Sequence, residues 1–265
     1  MDISEYKEKI ERKLAVFKDP SFKFIESDHT YSYNGVKYDP VTTFKAQFKI
    51  PFDREYWANR KAAERNIDVS VIKAEWAEKA LIGTTLGTNV HKWIEDFWSG
   101  LRPLVPEDPE IKSRVSKFMK LYREKFYKLV ALQPELKIFS KKWRLAGTID
   151  QPFLMLDEVS GEILFLIGDW KTDKEFKDDN HPKGRYKKLL HPFADLWENS
   201  LNEYSIQLSL YRLILEDELG IETHGGFLIY LGPDDDGKIY PIKDLRERLR
   251  VYLEHNRENF DVFSV

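Results

Sequence analysis

Apolar and polar positions change period several times along this chain, and each change marks an element. Residues 2–17 carry the spacing of a short amphipathic helix. In 29–41, HTYSYNGVKYDPV, alternating aromatics flank Asn34-Gly35, the dipeptide that most favours a two-residue hairpin turn. Residues 53–82 read as helical, with Trp57, Ala62 and Ala63 followed by Ile72, Trp76 and Ala80. After GTTLGT (83–88) the pattern predicts a new helix from near Leu86 to Trp98, capped by Thr84 or Thr85. A further helix is expected from Pro109 to Val130. Three strands should follow at 136–143, 144–156 and 162–171, the last two joined by a turn near Ser160-Gly161. Residues 173–200 are polar, contain His181-Pro182 and His191-Pro192, and read as a long inserted loop of the functional or disordered kind. A well-patterned helix at 201–219, an apolar strand at 225–231, a turn at 232–237, a short strand and a last helix at about 244–258 complete the chain.

This order predicts one α/β domain, with 83–265 as the core and 1–82 as a helical and hairpin extension packed on it. Neither an internal repeat nor a Pro/Gly-rich linker divides the sequence.

Composition narrows the chemistry. The 265 residues are 42% hydrophobic, enough for a real core. No run approaches the ~18 apolar residues of a membrane span, and the charged start MDISEYKEKIERK is no secretory signal. With no cysteine, disulfides, thiol catalysis, Cys-bound zinc and an iron–sulfur cluster are excluded, and a reducing, cytoplasmic setting is expected. A bound metal would need oxygen and imidazole ligands, as magnesium or manganese accept. The net charge of −3 gives no global basic footprint. Between Lys112 and Lys128, however, seven basic residues face only Glu124, as a solvated helix face or a phosphate-tracking stripe.

The residues that point to chemistry lie on adjacent predicted strands. Asp169 and Lys171 are two apart and share one strand face, and Asp150 on the neighbouring strand can lie beside them. Two carboxylates near a lysine can bind a divalent cation and keep a cationic group free. Phosphodiester hydrolysis needs those parts. The same tripeptide also fits aspartates at strand ends with a solvated lysine.

The sequence around these residues resembles the PD-(D/E)XK nuclease superfamily, more closely its RecB-like and phage-exonuclease branch. GTNVH (87–91) resembles the helix start carrying a metal-site histidine, GTID (147–150) the Gly-x-x-Asp strand, GDWKT (168–172) the Asp-x-Lys strand, and YSIQLSLY (204–211) the Gln-x-x-x-Tyr helix. The resemblance covers roughly 83–231, and 29–43 also looks like the region preceding the core in phage members. It implies a restriction-endonuclease-like core, a central mixed β-sheet flanked by helices. It implies a Mg2+- or Mn2+-dependent deoxyribonuclease, an exonuclease more than an endonuclease, working in recombination, repair or phage DNA processing in a bacterial or phage-infected cell. By position, Asp150, Asp169 and His91 would be metal ligands with the Trp170 carbonyl, and Lys171 the catalytic lysine. Glu135 resembles an acidic residue placed near the metal, or is a surface strand glutamate. Gln207 and Tyr211, four apart on one helix face, would approach the catalytic strands, or else Tyr211 is simply core. Glu95 would orient His91, or lie on the surface.

No phosphate-loop motif is present, so a helicase or recombination protein acting with this chain is expected to be a separate polypeptide. DNA is the expected partner, although the motifs do not distinguish it from RNA, and no membrane partner is expected. A need for a free, single-stranded or partly single-stranded end is read from three features. These are Tyr31, Tyr33 and Tyr38 as stacking platforms, loop 173–200 with Phe193 and Trp197 as a roof, and the basic helix as a backbone track; the alternative is that these aromatics are core and the loop is disordered. An endonuclease of the same fold, a catalytically silent nucleic-acid-binding subunit and a metal phosphohydrolase acting on small nucleotides remain the alternatives.

Overall fold

Asn34 and Gly35 take φ values of 50° and 78°, the left-handed geometry of a two-residue hairpin turn. They join two strands in the computed structural model, which describes residues 2–233 and 236–257. Position 258 of the last predicted helix, and 234 and 235 of the predicted turn, lie outside the described residues.

Helix α1 (Ile3–Leu14) buries Ile10 and Leu14. Strands β1 (Phe22–Ile25), β2 (Thr30–Tyr33) and β3 (Val36–Pro40) form an antiparallel meander, of which the sequence pattern revealed only the last two. A one-turn helix, α2 (Val41–Phe44), leads through a 3-10 turn to α3 (Arg54–Arg65) and then α4 (Val69–Trp98).

Helix α4 corrects one expectation. It runs unbroken for 30 residues, so GTTLGT lies inside it and neither Thr84 nor Thr85 caps a start near Leu86. Its cap is Asp68, whose carboxylate accepts the Ser70 N–H at 2.8 Å. Gly83 and Gly87 each cost a helix about 1 kcal/mol. Burial of Ile72 against α3 on one side, and of Val90 and Ile94 in a second apolar cluster on the other, offsets that cost. Residues 82 and 83, where extension and core were expected to meet, are consecutive positions of this helix.

Helix α5 (Pro109–Leu121) starts as read, with proline in its first turn and the Asp108 carboxylate accepting N–H bonds from Glu110 and Ile111 at 2.9 and 3.0 Å. It gives way to a π turn at Tyr122–Phe126 and to β4 (Leu129–Ala131), earlier than the expected end at Val130. Strands β5 (Leu136–Ser140), β6 (Leu145–Ile149), β7 (Gln151–Leu156) and β8 (Ile163–Lys171) follow. The chain closes with α6 (Ser200–Leu219), β9 (Gly225–Tyr230), β10 (Lys238–Pro241) and α7 (Arg246–Arg257).

In place of one central sheet there are two mixed five-stranded sheets, ordered β1-β2-β3-β6-β5 and β10-β9-β8-β7-β4. The segment expected as one strand over 144–156 is broken at Asp150, so β6 joins the first sheet and β7 the second. β3 pairs in parallel with β6 through Asp39 and Pro40, which makes the N-terminal hairpin part of the first sheet. β8 pairs antiparallel with β7 and parallel with β9. Helix α6, buried around most of its circumference, shares the main core with β5, β6 and α1. The fold is thus mixed α/β, and no helix among the described residues is long and apolar enough to cross a membrane.

Candidate functional site

A cleft of about 710 Å³ opens where the two sheets part, and Asp150, the single residue between β6 and β7, sits at that parting. Asp169 and Lys171 enter it from β8, on the face opposite Trp170, as the two-residue repeat requires. Trp170 is 2% exposed and anchors the strand in the second apolar cluster against Phe118 and Phe126. The Trp170 N–H donates to Asp150 Oδ2 at 2.8 Å, fixing that carboxylate against β8. Glu135 comes in just before β5, and its N–H donates to the Asp150 carbonyl at 2.9 Å. Its φ of 47° is a left-handed conformation that costs a non-glycine residue about 1–2 kcal/mol.

His91 projects from α4. Its Nε2–H donates to the Trp170 carbonyl at 3.1 Å, which leaves Nδ1 3.6 Å from Asp150 Oδ2. Ligand atoms of His91, Glu135 and Asp150 all lie within 4.8 Å of one another. Asp169 stands beside them, 2% exposed, with Lys171 Nζ 2.5 Å from its Oδ2.

The electrostatics follow from this crowding. Burial, then Asp150 and Glu95, push the Glu135 carboxyl up to about 8. Burial also raises Asp169, with Asp150 adding to it and Lys171 opposing. Burial would lower the Lys171 ammonium, but Asp169, Tyr204 and Asp150 outweigh it and hold Lys171 charged. Carboxyls crowded in a half-buried space resist ionising together, and a cation would relieve that penalty.

The donor set fits such a cation. Two carboxylates and an imidazole converge, a peptide carbonyl with a spare lone pair adjoins them, and the buried Asp169 carboxylate stands beside them. Oxygen and nitrogen donors of this kind suit Mg2+ or Mn2+.

Helix α6 backs the cleft. Gln207 Nε2 donates to the Tyr211 hydroxyl at 3.3 Å and reaches Asp169 Oδ1 at 3.5 Å. Tyr211, 3% exposed, packs on Gly147 of β6. Two residues were missed in the sequence. Lys45 Nζ donates to Gln207 Oε1 at 2.6 Å, and Lys45 and Lys171 both lie over the Tyr204 ring, 4.4 and 4.3 Å from its centroid. Burial, then repulsion from Lys171, pulls the Lys45 ammonium down to about 8. Tyr204 shares a helix face with Gln207 and Tyr211 at i+3 and i+7 and was within reach of the pattern. Lys45 carried no local signal.

Several expected contributors play other parts. Tyr31 and Tyr38 are 1% and 5% exposed, because their side chains pack on the core; Tyr31 borders the cleft, but neither is an exposed stacking platform. Loop 173–200 does not roof the cleft. Its Phe193 and Leu189 are buried, Phe193 against Phe48 at 5.0 Å, and no loop residue lines the cleft. The basic stretch lines no part of the cleft: Arg114 is 1% exposed, Lys117 donates to the Pro233 carbonyl at 2.8 Å and Lys120 pairs with Asp236, while Lys112, Arg123 and Lys125 form an exposed, solvated face. Glu95 does line the cleft, but it pairs with Lys92 at 3.2 Å rather than with His91.

Compared with known protein families and with curated proteins, the chain matches none.

Proposed function

We propose that this chain is a divalent-metal-dependent nuclease that hydrolyses DNA phosphodiester bonds from single-stranded or partly single-stranded ends. The observation that carries the reading is the convergence of His91, Glu135 and Asp150 within 4.8 Å, in the cleft that also receives Asp169 and Lys171. Element order adds to it. Strands β5, β6–β7 and β8, then α6, then β9 parallel to β8 suit a restriction-endonuclease-like core.

His91, Glu135, Asp150, Asp169 and the Trp170 carbonyl would hold Mg2+ or Mn2+. When bound, that ion neutralises charge on the scissile phosphate and lowers the pKa of water. Lys171 keeps its proton and orients a water molecule or meets charge developing on phosphate oxygens. Gln207 holds Asp169, while Tyr211 closes the floor of the cleft and excludes water behind it. The cleft volume of about 710 Å³ falls within the range of small-ligand sites and has room for one or two unpaired nucleotides. The lack of cysteine suits a cytoplasmic setting.

The test is a time course on end-labelled linear and covalently closed circular single-stranded DNA, with RNA alongside, in Mg2+ or Mn2+. Linear DNA should shorten while circles persist. Circles cut at the linear rate would replace the exonuclease reading by an endonuclease. If no substrate is lost on adding metal, the chain is a silent binding subunit and the enzymatic reading falls.

A further inference from the structure

The wall of the cleft facing α4 has a composition that cation binding does not explain. Phe24 on β1, Tyr31 on β2 and His29 between them form an aromatic trio. Phe24 is 4.7 Å from Tyr31 and 5.2 Å from His29 between ring centroids, and His29 is 5.5 Å from Tyr31. Tyr31 is the buried member, its hydroxyl 3.1 Å from Thr148 Oγ1. Phe24 is half-buried and His29 exposed, and both border the open cleft. Lys137 on β5 holds its Nζ 5.4 Å from the Phe24 centroid. It stands two residues beyond Glu135, about 6–7 Å along the chain, which is the scale of one nucleotide.

We infer that Phe24, His29 and Lys137 form a nucleotide subsite, where the base next to the scissile phosphate stacks on Phe24, with the perpendicular His29 ring at its edge, and Lys137 takes its phosphate. The inference rests on the nuclease reading and gives the substrate a direction, from the metal-ligand cluster towards β1. Aromatic faces accept any base, and a lysine beside them supplies a point charge for the backbone. Glu26, also on this wall, repels a phosphate but accepts an exocyclic amino group, so it sits at the base end of the subsite. Little sequence specificity follows from such a set.

The experiment is binding of single-stranded DNA carrying 2-aminopurine at successive positions, in EDTA and again in Ca2+, so that binding is read apart from cleavage. One position should be quenched on wild-type protein. An abasic residue placed there should weaken binding about tenfold, as loss of one stacked base does. Phe24→Leu should lose the quench and bind about tenfold more weakly, Phe24→Trp should restore it, and Lys137→Ala should lower the salt slope by about one. Lys7→Ala on α1 serves as an unaffected control. The abasic and Lys137→Ala arms stand even if Phe24→Leu unfolds. Binding with no position quenched, or with equal quenching and affinity in all variants, overturns the subsite and leaves the nuclease reading intact. If DNA binds in neither EDTA nor Ca2+, both fall together.

Discussion

The ring of Tyr211 occupies the space that a side chain at position 147 would need: a Cβ on Gly147 would stand 2.5 Å from Tyr211 Cε1. Strand β6 and helix α6 therefore touch at a point where one carries no side chain and the other carries a large one. Asp150 lies three residues beyond Gly147, and Gln207 one helical turn before Tyr211. The contact thus sets the depth at which α6 rests behind the cleft. Gly147→Ala should destabilise by about 1–3 kcal/mol, as overpacking does. Urea denaturation would show it, and the double variant with Tyr211→Leu should cost less than the sum of the two changes. Equal stability of Gly147→Ala and wild type would refute the contact.

On the proposed nuclease reading, Asp169→Asn and Lys171→Ala should each reduce cleavage by ~10²–10³ while leaving the fold intact, because each would remove one electrostatic contact at the reacting phosphate. Calorimetric titration separates their roles. Asp169→Asn should weaken Mn2+ binding, whereas Lys171→Ala should leave it unchanged or strengthened, its ammonium no longer competing for Asp169 Oδ2.

Imidazole suits manganese better than magnesium, so His91→Ala should lower activity more in Mn2+ than in Mg2+. It also frees the Trp170 carbonyl from its bond to Nε2. A uniform loss with both ions would mean that His91 orients the strand and does not ligate.

How much of this was legible beforehand depends on the range of each cause. Asn34-Gly35 and the Asp169/Lys171 pair are local, governed by turn geometry and the strand repeat, and both appear as read. The continuity of α4 was hidden because Gly83 and Gly87 signal a break locally, while the packing that overrides them comes from α3 and from the second apolar cluster. Alternation in the hairpin does not say which face meets the core, so stacking platforms and core positions fit Tyr31 and Tyr38 alike, and burial decides for the core. The division at Asp150 is a matter of pairing partners, set by β3 on one side and β8 on the other. Lys45 reaches Gln207 across 162 positions of sequence, beyond any local pattern.

That same lysine gives the pH prediction. Its ammonium is held down at about 8 in the folded chain, against an ordinary value of 10.5. Below pH 8 both folded and unfolded chains carry the proton, and the folded state bears the full cost of the buried charge. Between about pH 8 and 10.5 the unfolded chain binds more protons, so this residue's contribution to stability rises with pH. Lys45→Met should remove that rise and be more stable than wild type at pH 7. Guanidinium denaturation at intervals from pH 7 to 10 measures it, and parallel curves for the two proteins would refute the assignment.

The break at Asp150 also has a mechanical meaning. The three clustered side chains come from three separately anchored bodies: His91 from a long helix, Glu135 from the entrance to the first sheet, and Asp150 from the joint between the sheets. An ion gripping all three would act as a rivet at that joint, locking the angle between the sheets. Amide protons of β6 and β7 near Asp150 would then exchange more slowly once it is seated, while those of α7, which lines no part of the cleft, would keep their pace.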